Sequence, residues 1–206
     1  MNDLNIKFIS VDYQYEFAHP QGRFYNLGHS VEFINSGLIP FLEEHHIAVN
    51  EIISDYRLPR HSTSGGSCDP NTEGYISLLP DIIRNKDTWI KAMHNPTWVR
   101  INGGIKNSIT DFPYPNPEGF CKWLKKNIGE PSEDLKVIIF GLTMEVCVFE
   151  VVKELYFRGY KTMVLYEATD PMNERLDLKD IIATRSQLSM YTKVIFFNDL
   201  IKIMSV

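Results

Sequence analysis

Cys147 lies in the stretch "VIIFGLTMEVCVFEVV", just beyond an apolar run and a Gly-Leu-Thr turn, where a helical pattern begins. A thiol at the start of a helix meets unpaired N–H groups and the positive end of the helix dipole, and both favour thiolate over thiol. That position suits a nucleophile. Free cysteine is also among the residue types most often buried for packing alone, so a small core side chain is the other reading of the same residue. Asp12 in "VDYQYEF" and Asp55 in "SDYRLPRH" stand at comparable places, each directly after a short apolar run. A carboxylate there can serve chemistry or simply cap a strand end.

The elements that must position these residues can be read from the apolar periodicity. Ile6–Val11, Val49–Ser54, Val137–Phe140, Thr162–Tyr166 and Val194–Phe197 read as strands. Ser30–His45, with Val31, Phe33, Ile34, Leu38, Phe41 and Leu42 at helical spacing, reads as a helix, as do Pro117–Asn127, Glu145–Phe157 and Ile181–Met190. Fully apolar strands alternating with helices predict an α/β, three-layer Rossmann-like domain with a mainly parallel sheet of about six strands covered on both faces. In such sheets ligands bind in the crevice at the carboxyl ends of the strands, which is where Asp12, Asp55 and the turn to Cys147 fall. From His61 to Asn116 the rhythm breaks into loop chemistry: "STSGGSCDPNTEG", "NPTW", "INGG" and "FPYPNP".

Composition narrows the function classes. With 206 residues, 44% of them hydrophobic and 23% charged, the chain suits one well-filled core, read as a single domain over 1–206. No apolar run approaches the roughly 20 residues of a membrane span, and "MNDLNIKFISVDYQ" lacks the pattern of an export signal. Three irregularly spaced cysteines, Cys68, Cys121 and Cys147, fit neither a disulfide framework nor a paired zinc site, so the expected location is the cytoplasm. A net charge of −5 with scattered Lys and Arg provides no stripe for phosphates, which argues against nucleic acid as a partner.

"GLTMEVCV" followed by "RGYKTMVLYEATD", together with "VDYQYEFAHPQG" at the other end of the chain, resembles the isochorismatase-like cysteine hydrolases, in a divergent form of their nicotinamidase-related branch. The N-terminal stretch matches that family's signature at Asp12, Gln14, Glu16, Phe17 and Gly22. The resemblance implies that Cys147 attacks an amide carbonyl to form a thioester. It implies that Asp12 passes a proton to the departing amine and later takes one from water. Backbone N–H groups of Thr143 and Cys147 would hold the oxyanion, next to a cis Leu142–Thr143 bond, and Phe17 would line the pocket or belong to the core. The family's third catalytic group is a lysine. "KNSITDF" offers Lys106, a short interval before Phe112 and with Thr110 in place of a serine. A second register puts Asn102-Gly103 where a Lys-Gly pair would stand and leaves the lysine missing. Lys91 in "TWIKAM" is a third candidate, or a solvated surface lysine.

"SDYRLPRHSTSGGSCDPNTEG" is similar to the metal-binding segment of nicotinamidases, with departures. Asp55 and His61 match ligand positions, but Arg57 and Ser67 stand where histidines would be, and Ser64 where an aromatic residue would be. Arginine has no lone pair to give a metal and its charge repels a cation, so no zinc, iron or manganese is expected and no cofactor is implied. Asp55, Arg57, His61 and Asn102 then become candidate substrate-binding residues for a small molecule, with the cation suited to an anionic one. An ordinary Asp55–Arg57 loop ion pair is the competing reading. His19, His29, His45, His46 and His94 show no catalytic or ligand spacing, and Gly103-Gly104 lacks the context of a phosphate loop. The expected function is a metal-independent, cysteine-dependent hydrolase of an amide-type C–N bond. The alternatives are a family member without turnover that binds or regulates, and a vinyl ether hydrolase that uses the aspartate alone. The resemblance also implies a homo-oligomer, a dimer or tetramer, and no membrane partner.

Overall fold

Strands β1 (Asn5–Val11), β2 (Val49–Ser54), β3 (Trp89–Lys91), β6 (Leu135–Gly141), β7 (Lys161–Leu165) and β8 (Lys193–Ile195) form one sheet in the order β3-β2-β1-β6-β7-β8. A short antiparallel pair, β4 (Trp98–Val99) and β5 (Tyr114–Pro115), stands apart. The computed structural model describes residues 5–26, 28–61, 65–172 and 175–204. Every pairing in the large sheet is parallel, and β1 lies against β6 in register from Asn5↔Leu135 to Val11↔Gly141. The strands progress outward from β1 through β2 to β3, and on the other side from β6 through β7 to β8. The direction therefore reverses between β1 and β6, and a crevice opens at their carboxyl ends.

Alternation along these strands divides the core in two. Ile9, Val11, Val137 and Ile139 face one layer, where they meet Phe120 and Trp123 of α4 (Pro117–Asn127) and Val151 and Leu155 of α5 (Phe149–Phe157). Phe8, Ile138 and Phe140 face the other, against Ile34, Leu38 and Leu42 of the long helical stretch and Leu200 near the C-terminus. Among the described residues no helix is long and apolar enough to cross a membrane.

The elements differ from the sequence reading in identifiable ways. The helix expected over Ser30–His45 runs as α2 (His29–Phe33), a wider π-turn at Ile34–Leu38 and α3 (Ile39–Glu44), because Pro40 has no N–H to donate one turn back. The segment expected as loop contains β3, too short to show a period, pinned by Trp89 packing on Phe120 at 5.3 Å between ring centroids. The helix expected at Ile181–Met190 is two, α6 (Lys179–Arg185) and α7 (Leu188–Tyr191). The break is at Ser186, whose hydroxyl donates to Ile182 O and accepts from Leu188 N. Phe197 opens a helix, α8 (Phe197–Met204), instead of closing a strand. A four-residue helix, α1 (Tyr15–Ala18), follows β1 directly.

Gly141 ends β6 with φ +121°, and a Cβ there would lie 2.1 Å from the carbonyl oxygen of Val11. Only glycine lets β6 approach β1 this closely while the chain turns toward Thr143. Gly141→Ala is expected to lower stability by at least about 2 kcal/mol, read from the urea midpoint.

Candidate active site

Three neighbouring strand ends present polar side chains to the same crevice. Asp12 follows β1 directly, in the left-handed region at φ +53°, its N–H donating to Ile52 O. Ser54 closes β2 and Lys91 closes β3. Gln14 fixes their relative height: its amide donates to the carbonyls of Ser54 and Tyr75 and its oxygen accepts from Ser54 N at 2.7 Å. A non-glycine residue held at positive φ costs energy, and such positions gather at functional sites.

The Lys91 ammonium stands at the centre of this row, with its side chain 0% exposed. It lies 2.8 Å from Asp12 Oδ2 as an ion pair, donates to Ser54 Oγ at 2.8 Å and to the Tyr56 hydroxyl, and reaches Cys147 Sγ at 3.5 Å. Ser54 passes the interaction on, its hydroxyl donating to Asp12 Oδ1 at 2.7 Å. Oδ2 takes no aligned hydrogen bond, so a lone pair of this buried oxygen remains free. Burial disfavours the ammonium, but Asp12 and Cys147 outweigh it and hold Lys91 above the ordinary lysine range.

Cys147 lies within a wide helical turn, Met144–Val148, that leads into α5. It is 7% exposed, with the Tyr56 hydroxyl 3.5 Å and His94 Nδ1 3.9 Å from sulfur. Burial pushes the thiol up to about 12, the neighbouring Asp12 charge adds to this, and Lys91 and the Tyr56 hydroxyl oppose it. Burial and the Asp12 charge thus work against the thiolate that the helix start and Lys91 favour. Burial also holds the Tyr56 phenol neutral, well above its ordinary value. His94 is lowered by burial and by the charges of Lys91 and Arg60.

The Leu142–Thr143 peptide bond is cis, and the Thr143 N–H has no hydrogen-bond acceptor among the described residues. The turn is fastened by Met144 N donating to Asp170 O, while the Asp170 carboxylate pairs with Lys179 at 2.6 Å and accepts from Ser30 N. Asp12, Thr143 and Cys147 open together onto a cavity of about 610 Å³, whose walls include Phe17, Tyr56, Arg60 and His94.

The other sequence-derived candidates are placed elsewhere. Lys106 is exposed on a surface loop; the lysine beside Asp12 and Cys147 is Lys91. The "KNSITDF" stretch that offers Lys106 belongs to a segment that packs over Asp55 and Arg57. Asp55 is fully buried and grips the Arg57 guanidinium with both oxygens, at 2.9 and 2.7 Å, while also accepting from Gly104 N. Arg57 donates onward to the carbonyls of Asn102, Ile105 and Ser108. This pair is a buried clasp for the 102–108 loop, and among the described residues neither partner lines the cavity holding Cys147. Arg57 instead lines a separate, larger cleft of about 910 Å³. His61 contacts Pro113 O through Nε2, and the Asn102 amide donates to Ile109 O, so both tie loops together. Ser64 lies outside the described residues. Tyr56, Ser54, His94 and Arg60 had no sequence signal beyond closeness to a strand end.

The same geometry bears on a metal at Asp55. Its two oxygens are occupied by a guanidinium, which a divalent ion would have to displace, and His61 turns Nε2 to a carbonyl. Among the described residues no three His, Cys, Asp or Glu side chains gather as a ligand set. The residues present do not fit a metal at this position.

No protein-family model and no curated protein matches the chain. Solved structures do. An isochorismatase-like hydrolase from Alkaliphilus metalliredigens aligns over 97% of both chains at 20% identity with a TM-score of 0.62. The pyrazinamidase of Pyrococcus horikoshii, solved in complex with zinc, aligns over 94% of this chain and 99% of its own at 18% identity and 0.62. An N-carbamoylsarcosine amidase from Thermoplasma acidophilum aligns over 92% and 95% at 15% identity and 0.56. The chain has the fold of the isochorismatase-like hydrolases.

Removing the lysine side of the buried pair leaves Asp12 without its compensating charge. Lys91→Met is expected to destabilise the fold by about 3–5 kcal/mol in urea unfolding, while Lys106→Ala leaves the midpoint in place.

Proposed function

We propose that this protein hydrolyses an amide-type C–N bond of a small molecule through a thioester on Cys147, with Asp12 as proton carrier and Lys91 as the fixed positive charge between them. The observation that carries this reading is the Lys91 ammonium, 2.8 Å from Asp12 Oδ2 and 3.5 Å from Cys147 Sγ. The fold shared with proteins described as a pyrazinamidase and an N-carbamoylsarcosine amidase agrees with it, and so do the sequence signatures around Asp12 and Cys147.

The chemistry follows from the charges. At rest the carboxylate of Asp12 faces a neutral thiol. When substrate excludes water, the thiol proton passes to Asp12 and sulfur attacks the amide carbonyl carbon; the negative charge moves from one contact of the Lys91 ammonium to another instead of being created in a closed cavity. The tetrahedral oxyanion takes hydrogen bonds from the N–H groups of Thr143 and Cys147. Asp12 then gives its proton to nitrogen, the C–N bond breaks, and the amine leaves a thioester behind. Water attacks that thioester while Asp12 takes one of its protons. The C–S bond breaks, the carboxylic acid is released, and the proton returns to sulfur. No step passes through a metal, in keeping with Asp55 being committed to Arg57.

The reading of a member without turnover draws on the missing metal ligands and the uncertain lysine; the contacts of Lys91 with Asp12 and Cys147 speak against its second ground. The vinyl ether reading has no need of the contact between Lys91 and sulfur. Ammonia release from a panel of small amides, including nicotinamide, carbamoyl amines and ureides, tests the proposal. Cys147→Ala and Asp12→Asn are each expected to lower kcat at least about 100-fold, with an acyl adduct on Cys147 caught by mass spectrometry in the parent enzyme. Ammonia release that persists in Cys147→Ala contradicts the thioester.

A further inference from the structure

The wall of the Cys147 cavity holds a cation with no counterion among the described residues. Arg60 is 8% exposed, its Nε is buried without a hydrogen-bond partner, and no carboxylate lies within ion-pair distance of it among the described residues. Its guanidinium rests on the Tyr56 ring, 4.1 Å from the centroid, and its charge depresses the imidazole of His94. The other charged groups of the cavity are committed: Asp12 to Lys91 and Ser54, and Arg23 to Glu16 at 2.7 Å and Gly66 O. A buried guanidinium without an anion is strongly unfavourable, so an unpaired one opening on a cavity marks where a ligand supplies the missing charge.

We propose that Arg60 binds a carboxylate of the substrate, so that the molecule hydrolysed is an amide carrying a second, anionic end. The inference rests on the Cys147 cavity being the substrate site and names what that site selects. The planar fork of a guanidinium matches a carboxylate, and a single cation without an ion-pair partner among the described residues suits a singly charged group. Phe17, Phe24 and Val146 line the remaining wall and suit an apolar portion between the two ends. The anion-recognising role assigned in the sequence to Arg57 passes to Arg60, three residues further on, because Arg57 spends its fork on Asp55.

Monoamides of dicarboxylic acids, from malonamate to adipamate, paired with the matching neutral diamides, test this. In the Cys147→Ala protein, which holds substrate without turning it over, calorimetry is expected to show the best monoamide binding roughly 10- to 100-fold more tightly than its diamide. Added Arg60→Gln is expected to bring that ratio toward one, and Arg60→Lys to keep part of it. Equal binding of acids and diamides, no binding of any acid, or a preference untouched by Arg60→Gln overturns the proposal. Ammonia release by the parent enzyme separates it from the reading above. An Arg60-dependent preference without ammonia release supports the anion site and removes the hydrolase, whereas ammonia released from diamides and acids alike, indifferent to Arg60, leaves the hydrolase and removes the anion site.

Discussion

A single ammonium group, sealed from solvent, touches both the Asp12 carboxylate and the Cys147 sulfur, the proton carrier and nucleophile of the proposed hydrolysis. Lys91 and Asp12 are each essentially inaccessible, and neither charge is tolerable there without the other. Their pairing makes the crevice a place where a thiol can be deprotonated by a neighbour without a net change in buried charge. Burial and the Asp12 charge raise the thiol, and Lys91 and the Tyr56 hydroxyl oppose them.

The rest of the fold can be understood as what holds that contact in place. Lys91 comes from the third strand out from the switch point, so it must reach past the end of β2 to meet Asp12, and Ser54 fills the gap by accepting from one and donating to the other. Gln14 ties the ends of β1 and β2 together, and Gly141 lets β6 deliver the turn to Cys147 beside Asp12. On the outer side, Asp55, Arg57 and Arg100 secure the loop after β4, Arg100 donating to the carbonyls of Asp55, Arg57 and Asp111. That use of charge is structural, and Arg60, which lines the cavity, has no ion-pair partner among the described residues.

The long strands and helices were legible because their apolar residues repeat over enough positions to reveal a period, and Asp12 and Cys147 because each ends such an element beside a recognisable motif. Lys91 was legible only as one candidate among three. It ends a strand of three residues inside a stretch dominated by loop signals, and its partners arrive from β1, β2 and the turn before α5, all distant in sequence. Lys106 looked better because a local spacing favoured it, while the deciding fact was burial. Arg57 and Arg60 differ in the same way. Their local chemistry is alike, and the Asp55 carboxylate, turned inward, makes Arg57 a loop clasp, while Arg60 has no ion-pair partner among the described residues. Tyr56 and His94 enter the site through packing and carry no pattern of their own.

The electrostatic coupling through Lys91 is tested most directly by titrating Cys147 itself, from the pH dependence of its alkylation mapped by peptide mass spectrometry, in the parent protein, Lys91→Met and Asp12→Asn. The sulfur should ionise at higher pH when Lys91 is lost and at lower pH when the Asp12 charge is lost, because the first stabilises the thiolate and the second opposes it. A Cys147 titration that stays in place in both folded variants contradicts the account.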